Sequence, residues 1–534
     1  MIRRFLIVVF LLTGCQLSQT PVPTPSPTAT AGSSVPTAQS ATSTTPEATA
    51  EATDANRTIP TQTATPTAAP IQVSGVLAWL GTGASPAHAT GGQIALIDKA
   101  GAVTPLMDVP NMAARVTACG DAATSPDGRY FAYYVGADSG KLYVMDAAKA
   151  PVLIDDVSFL ACLSTFHFAP NSQRFAYIDY PSGATTSDYA SGTLRLYNTD
   201  TLQQAASFDH VVAYSLVNSG AMLVSFFDNS KAEADEADIS LWDGTSVREI
   251  VTLVPTEQDC RFTSAQIALA GSQLLALLGQ RCTTGDTRTN WQLYTIDAAA
   301  GSATLIATDA QPGAFVTFAR TNNLFFAPNG STAYFTVPDA VTAYTVAVAS
   351  VSLSDYSINI PVDRQAVFPN FSGAPDAFPR LSPDGRWLAL IITSPDNENQ
   401  VLALDLNAPD ASPLTASTLS RGNVIPDMAF APDNSRLYYI AGGNDNSLFS
   451  LSLDDGSEKR IARGNFAEGM ALAPDGKSVA LLNLMHVEDP KQPGYLNLVL
   501  ANLSTGNLTT LASGADVADG KVTNLRFAYP LAWR

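Results

Sequence analysis

The sequence predicts an all-β chain, folded as a single ring of four-stranded antiparallel blades, a β-propeller. Three observations carry this expectation. A short turn-and-strand phrase recurs along the chain, a second apolar strand ending in a polar residue follows each copy, and the two ends of the repeat region hold complementary parts of one blade. A repeat of roughly 40 to 60 residues marks stacked supersecondary units.

The N-terminus reads as an address. Arg3 and Arg4 are a positive start, Phe5 to Leu12 is a short apolar run, and Leu12-Thr13-Gly14-Cys15 follows. The run is too short to span a bilayer. The Leu-Thr-Gly-Cys pattern resembles the bacterial lipobox. That resemblance implies a signal peptide over 1–14, lipidation of Cys15 and a firm membrane anchor. Gln16 follows the cysteine, so no inner-membrane retention signal is evident. An ordinary secretory signal is the alternative. Residues 15–70 are mostly Pro, Thr, Ser and Ala. Such a segment cannot offset its ordering entropy by apolar burial and is expected to be a disordered stalk. Extended at about 3.1 Å per residue, it reaches on the order of 150 Å.

From about Val73 the texture changes to short apolar strands and turns, and residues 71–534 are expected to form the propeller. One unit shows the logic. Phe378-Pro379-Arg380-Leu381 enters, Ser382-Pro383-Asp384-Gly385 turns, Arg386-Trp387-Leu388-Ala389-Leu390 leaves, and Val401-Leu402-Ala403-Leu404-Asp405 is a third strand. Proline presets φ, Asp suits the second central position and Gly supplies φ > 0. A weaker fourth strand completes a blade. Copies of the turn stand at Ser125-Pro126-Asp127-Gly128, Ala169-Pro170-Asn171-Ser172, Ala327-Pro328-Asn329-Gly330, Ala431-Pro432-Asp433-Asn434 and Ala473-Pro474-Asp475-Gly476. Third strands recur at Leu142-Tyr143-Val144-Met145-Asp146, Leu194-Arg195-Leu196-Tyr197-Asn198, Ile239-Ser240-Leu241-Trp242-Asp243 and Leu293-Tyr294-Thr295-Ile296-Asp297. Two units, around Gly220 and Gly271, lack the proline and keep the frame.

These phrases resemble the WD40-like (PD40) repeats of the TolB β-propeller family over about residues 73 to 534. The resemblance implies the fold and leaves the function open, except that an envelope-assembly or secretion role would be in keeping with it. The small α/β domain that precedes the propeller in TolB is not expected here, nor is the hydrolase domain of prolyl oligopeptidase relatives.

Gly75-Val76-Leu77-Ala78-Trp79 and Gln93-Ile94-Ala95-Leu96-Ile97 read as second and third strands without an entering strand. Leu525 to Trp533 reads as an entering strand without a unit after it. Together they make one blade and close the ring, which removes exposed edges. Nine candidate units result. Because propellers usually have four to eight blades, eight is the expectation, within a range of seven to nine.

All the proline turns then lie on one face. The opposite face carries the variable connections Gly81 to Gly92, Tyr180 to Gly192, Asp228 to Asp238, Gly279 to Asn290, Pro395 to Gln400 and His486 to Gly494. Function concentrates on loops of a rigid scaffold, so this face is the expected ligand face. Besides Cys15, four cysteines remain, an even count that suits disulfides in an exported protein. Cys260 and Cys282 flank Gly271-Ser272 symmetrically and fall opposite each other in a hairpin. Cys119 and Cys162 precede successive entering strands and would staple neighbouring blades. Both bridges are expected on the variable face, with buried free thiols as the alternative.

No nucleophile elbow, zinc-protease motif, phosphate loop or dinucleotide fingerprint is present. His167 reads as structural, and His88 and His486 as loop residues. The insert Asp228, Glu233, Asp235, Glu236, Asp238 lacks EF-hand spacing and reads as a solvated loop. Trp79, Trp387 and Trp533 read as core. No catalytic, metal or cofactor site is expected. The formal charge of −19 argues against a nucleic-acid partner. The expected function is a membrane-anchored, extracytoplasmic envelope lipoprotein whose head binds a protein, peptide or glycan at the variable face. The alternatives are a carbohydrate lyase or hydrolase in the central funnel, for which Asp209-His210 and Arg320 are the only hints, or an envelope-assembly accessory.

Overall fold

The proline phrases fold as tight turns with one geometry. The N–H groups of Gly128, Gly330, Gly385 and Gly476 donate to the carbonyls of Ser125, Ala327, Ser382 and Ala473 at 2.7–2.9 Å. These glycines have φ between 64° and 72°. That left-handed conformation costs a residue with a Cβ and is free to glycine. Ser172 and Asn434 hold the same position at φ 60° and 58°. Where the turn opens with serine, its hydroxyl does two jobs. Ser125 Oγ donates to Asp127 at 2.6 Å and accepts the Tyr130 N–H at 2.9 Å. Ser382 does the same with Asp384 and Trp387.

The structure is a computed structural model. It describes most of residues 75–533. Residues 1–74, residue 534 and several connecting segments lie outside the described residues, the longest being 84–90, 181–190, 227–233, 313–323 and 368–379. The expected signal peptide, Cys15 and stalk fall outside them. All described residues belong to one unit, Arg57–Arg534.

The strands assemble into antiparallel sheets in chain order. Five four-stranded sheets are single blades, and a seven-stranded and a nine-stranded sheet each hold two. The count among the described residues is therefore nine units, the upper end of the expected range and one more than eight. The units without proline are full blades because apolar alternation, not the proline, makes the strands. In chain order, blade 1 is Gly75–Thr82, Gly92–Asp98 and Val103–Val109 with Arg526–Trp533 as its inner strand. Blades 2 to 9 then occupy residues 115–158, 159–208, 211–253, 260–312, 324–367, 380–421, 428–462 and 466–512.

Apolar clusters fill the space between each blade and the next. Trp79 of blade 1, Tyr133 of blade 2 and Phe175 of blade 3 share one cluster. Leu196 and Leu223 join blades 3 and 4, Ile239 and Leu274 join 4 and 5, and Leu293 and Phe335 join 5 and 6. Tyr334 and Leu404 join 6 and 7, Ile391 and Tyr439 join 7 and 8, and Ile440 and Leu481 join 8 and 9. Leu498 of blade 9 packs with Val76 and Trp533 of blade 1, where the Trp533 indole N–H also donates to the Ala471 carbonyl. The series returns to its start, so the sheets form a closed ring, a β-propeller. Each large side chain buried this way contributes about 1.5–3 kcal/mol. Trp79, Trp387 and Trp533 are all buried, as expected.

Two features depart from the simple blade. Ahead of the short inner strand of blade 3 stands a helix, Phe159–Thr165, capped by the Ser158 hydroxyl, which accepts the Ala161 N–H. The strand Gln203–Leu216 serves two blades. Its first part is the outer strand of blade 3, and after an irregularity near Asp209 its second part is the inner strand of blade 4. The Tyr214 hydroxyl on this strand donates to the Ala176 carbonyl at 2.7 Å and tethers it to blade 3.

Candidate binding face

The two faces of the ring differ in how their connections are held. On the turn face, Arg386 follows the glycine and reaches Asp405 at the end of the third strand, donating from Nε at 3.1 Å and Nη2 at 2.7 Å. Arg129 grips Asp146 in the same way at 3.0 and 2.9 Å. Each guanidinium lies over the ring of the next residue, Trp387 or Tyr130. Asp243, Asp355 and Asp455 stand at the turns from third to fourth strands and accept local N–H and hydroxyl groups, which pull their carboxyls below the ordinary range. This face is uniform because the same bonds recur.

The opposite face is irregular. Of the connections expected to carry function, Tyr180 to Gly192 lies almost wholly, and those beginning at Gly81 and Asp228 mostly, outside the described residues, as do 284–287 and 395–397 within the connections beginning at Gly279 and Pro395. His486 to Gly494 is described in full. Its Lys491 N–H donates to Asp489 at 3.0 Å, and its Gln492 side chain accepts the Val522 N–H at 3.2 Å. Val522 belongs to a hairpin, Asp516–Ala518 with Lys521–Thr523, that the repeat pattern did not reveal. Asp516 anchors the hairpin's base to Arg526 at 2.7 Å and to Asn524 at 2.9 Å. Loop and hairpin form one exposed ridge, with Val517 at its surface. The hairpin's Asp519-Gly520 turn was the available sequence signal.

Both expected disulfides form. Cys260 and Cys282 are direct register partners at the irregular face, with Cα atoms 3.9 Å apart. Cys119–Cys162 staples blade 2 to the helix of blade 3. Its depth differs from expectation. The Cys119 N–H donates to the carbonyl of Ala132, midway along Tyr130–Gly136, so this bridge lies inside the inner wall rather than on the irregular face. The helix carries Cys162 inwards, which a strand would not do.

The remaining titratable groups are placed as follows. Asp235 pairs with Arg261, and Asp238 accepts the Thr252 hydroxyl at 2.6 Å, while burial raises its carboxyl pKa. Asp235 and Asp238 thus have separate partners, and Glu236 is exposed; Asp228 and Glu233 lie outside the described residues. Glu257, Asp259 and Cys260 have ligand atoms within 4.8 Å of one another, but the Cys260 sulfur is committed to Cys282. Two carboxylates remain, short of the four ligands of a structural zinc site. His167 stands on the inner strand of blade 3 against the Tyr214 ring, and burial pushes its pKa down to about 4. Burial thus favours its neutral form. His486 is exposed, and His88 lies outside the described residues.

The hints for catalysis do not converge. Arg320 lies outside the described residues. Asp209 accepts the Thr193 hydroxyl at 2.8 Å, and His210 has φ 62° where the shared strand crosses between blades. Among the described residues, no hydrogen bond or ion pair joins either to another titratable group. The inner wall does bring together one pair that sequence reasoning missed. Arg380 on the inner strand of blade 7 stands 3.9 Å from Asp427, just ahead of that of blade 8. Burial disfavours the Arg380 charge, while Asp427 and Tyr529 favour it. They stand on neighbouring blades, and the packing of blade 7 against blade 8 unites them. A second polar set lies between blades 2 and 3. Arg195 meets Asp155 at 3.2 Å and Asp179 at 3.7 Å, and Tyr177 donates to Asp155 at 2.8 Å. It cross-links blades.

No family model and no curated protein matches this chain. Solved structures do. A eukaryotic initiation factor aligns at 10% identity and a TM-score of 0.42, over 85% of this chain and 98% of its own. An oligogalacturonate lyase in complex with manganese aligns at 11% and 0.38, over 81% and 98%. TolB from Acinetobacter baumannii aligns at 14% and 0.24, over 56% and 79%. At these scores none of them carries an argument about function or family.

Proposed function

We propose that the chain is an envelope lipoprotein of the TolB-like (PD40) repeat family. Cys15 anchors it, residues 15–70 form its stalk, and the propeller head binds a protein, peptide or glycan at the irregular face. The observation that carries the reading is the contrast between the faces. One carries the same tight turn in blades 2, 3, 6, 7, 8 and 9, reinforced by Ser–Asp–Arg bonds in blades 2 and 7. The other bears the unlike connections, the Cys260–Cys282 bridge and the ridge of His486 to Gly494 with Asp516–Thr523. Rigid scaffolds place recognition on such loops. The disulfides suit an oxidising, extracytoplasmic compartment. The net charge of −19 disfavours a nucleic-acid partner.

Site-specific photo-crosslinking in intact cells tests the proposal. A crosslinker at Lys491 or Lys521, on the irregular face, is expected to yield a discrete adduct. The same group at Lys99 or Lys477, on the turn face, is expected to yield none. Adducts from the turn face alone would overturn the reading.

A further inference from the structure

The inner strand of blade 5, Cys260–Ala270, is irregular near its start. Its pairing with the second strand, Gln273–Cys282, shifts register between Phe262 and Ser264. Phe262 lies opposite Gln280 and Ser264 opposite Gly279, so Thr263 is an extra residue, a β-bulge. Side chains alternate along a strand. Ala265, Ile267 and Leu269 belong to the apolar cluster shared with blade 4, as do Leu274, Ala276 and Leu278. Counting on by twos puts Thr263 and Gln280 on that same face. Phe262 belongs to the cluster as well. The bulge thus turns two successive side chains towards blade 4, where a regular strand turns one.

Both polar residues are buried there, Gln280 fully and Thr263 with 6% of its surface exposed. Among the described residues, neither the Gln280 Oε1 nor the Thr263 hydroxyl has a hydrogen-bond partner. The large majority of buried polar atoms have one, and here two such atoms stand at one level of one face. Their polar neighbours are committed to each other. The Gln280 Nε2 donates to the Thr256 Oγ1 at 3.4 Å, and the Gln292 Nε2 donates to the same oxygen at 2.9 Å. The Tyr294 hydroxyl donates to the Gln292 Oε1 at 2.7 Å, and burial pushes its pKa up to about 12, which keeps that proton in place. Reversing the Gln280 amide does not remove the need. Thr256 would then meet the oxygen, and the Nε2 would be left in its place.

We propose that the bulge holds a single internal water between Gln280 and Thr263, as a built-in part of the interface between blades 4 and 5. The chemistry of the two groups selects this ligand. It has to donate to an amide oxygen, bond a hydroxyl, and sit among apolar side chains such as Phe226, Phe262 and Leu278. An anion would meet the negative end of the amide, and a bare cation would lose its hydration shell among apolar groups. Water suits both partners, and an internal water needs two to four. Its place gives it a role. Two positions beyond Phe262 and Gln280 stand Cys260 and Cys282, which are bridged. A bulge disrupts the ladder between its strands. The bridge and the water restore the hold of the inner strand on the second strand, and so fix this corner of the irregular face.

Oxygen-17 relaxation dispersion of water, measured on the full-length protein, counts long-lived internal waters in solution. Gln280→Met with Thr263→Val replaces both polar groups by apolar ones of similar shape. Removing both partners of a buried pair in this way is close to neutral for stability, so the double variant is expected to fold. Its dispersion amplitude is expected to drop by the equivalent of about one water. An unchanged amplitude in the folded double variant would overturn the proposal. A crystal structure of the native protein decides the question without any substitution. Density for a solvent atom within about 3.2 Å of both the Gln280 Oε1 and the Thr263 Oγ1 is expected. A protein group bonded to that oxygen, or a dry space beside it, would overturn the proposal.

Discussion

The backbone N–H of Asp127, in the turn of blade 2, donates to the Ser172 hydroxyl in the turn of blade 3 at 3.0 Å. Ser172 stands where other copies have glycine, and it keeps the left-handed φ of 60°. The departure from the repeat is thus a tie between neighbours. Asn434 repeats it more loosely, accepting the Asp384 N–H at 3.4 Å. Replacing Ser172 with alanine removes the bond and keeps the backbone cost, so a loss of about 1 kcal/mol is expected. Ser172→Gly loses the bond and sheds a cost of similar size, about 1 kcal/mol, and is expected to be near neutral. Urea unfolding of both variants checks this. Equal losses would show that the conformation at 172 carries no cost.

Arg386 and Asp405 join the two phrases of the repeat. The arginine is half exposed and the carboxylate mostly buried, 48% and 12%. Exposure discounts the ion pair to below about 1 kcal/mol, and stacking on Trp387 adds a comparable amount. Arg386→Ala is expected to cost about 1 kcal/mol. Arg386→Lys is expected to recover less than half, because an ammonium cannot reproduce the fork. Chemical denaturation at low and high salt separates the contributions, since only the ion pair is screened.

The two disulfides close different loops. Cys119–Cys162 spans 43 residues and Cys260–Cys282 spans 22. In the chain-entropy account, removing the first costs about 4 kcal/mol and the second about 3.4. Paired Cys→Ala variants measured by thermal unfolding are expected to keep that order. The 119/162 variant is further expected to loosen the contact of blades 2 and 3, seen as faster amide exchange near Phe131 and Phe175.

Acid is expected to weaken the turn face. Asp455 is held down to about 2 by hydrogen bonds from Ser452 and Ser457. A depressed carboxyl stabilises the fold above its unfolded pKa of about 3.9, and that contribution is lost as pH falls through the folded value. Stability should therefore decline between pH 4 and 2, and Asp455→Asn should flatten part of the decline. Melting temperature against pH gives the comparison; an unchanged slope in the variant would assign the acid response elsewhere.

The strands, the turns and the pairing of Cys260 with Cys282 were legible because each depends on residues close in sequence. A Ser-Pro-Asp-Gly turn forms from four residues, and counting outward from Gly271-Ser272 sets that hairpin's register. The helix Phe159–Thr165 was not legible, because Phe159-Leu160-Ala161-Cys162-Leu163 is an apolar run that suits strand or helix. Its cap at Ser158 and its bridge to Cys119 select the helix. The candidate face was legible only as a contrast, regular against irregular.

Local chemistry along the chain settles that the protein is a ring of antiparallel blades, which face is uniform, and which two segments complete one blade. Long-range packing settles that nine blades close the ring among the described residues, that Gln203–Leu216 serves two of them, that Cys119–Cys162 lies within the inner wall and that Arg380 meets Asp427. The division follows from range. Turn and strand preferences act over a few residues, whereas curvature, shared strands and contacts across blades exist only once every apolar interface is filled.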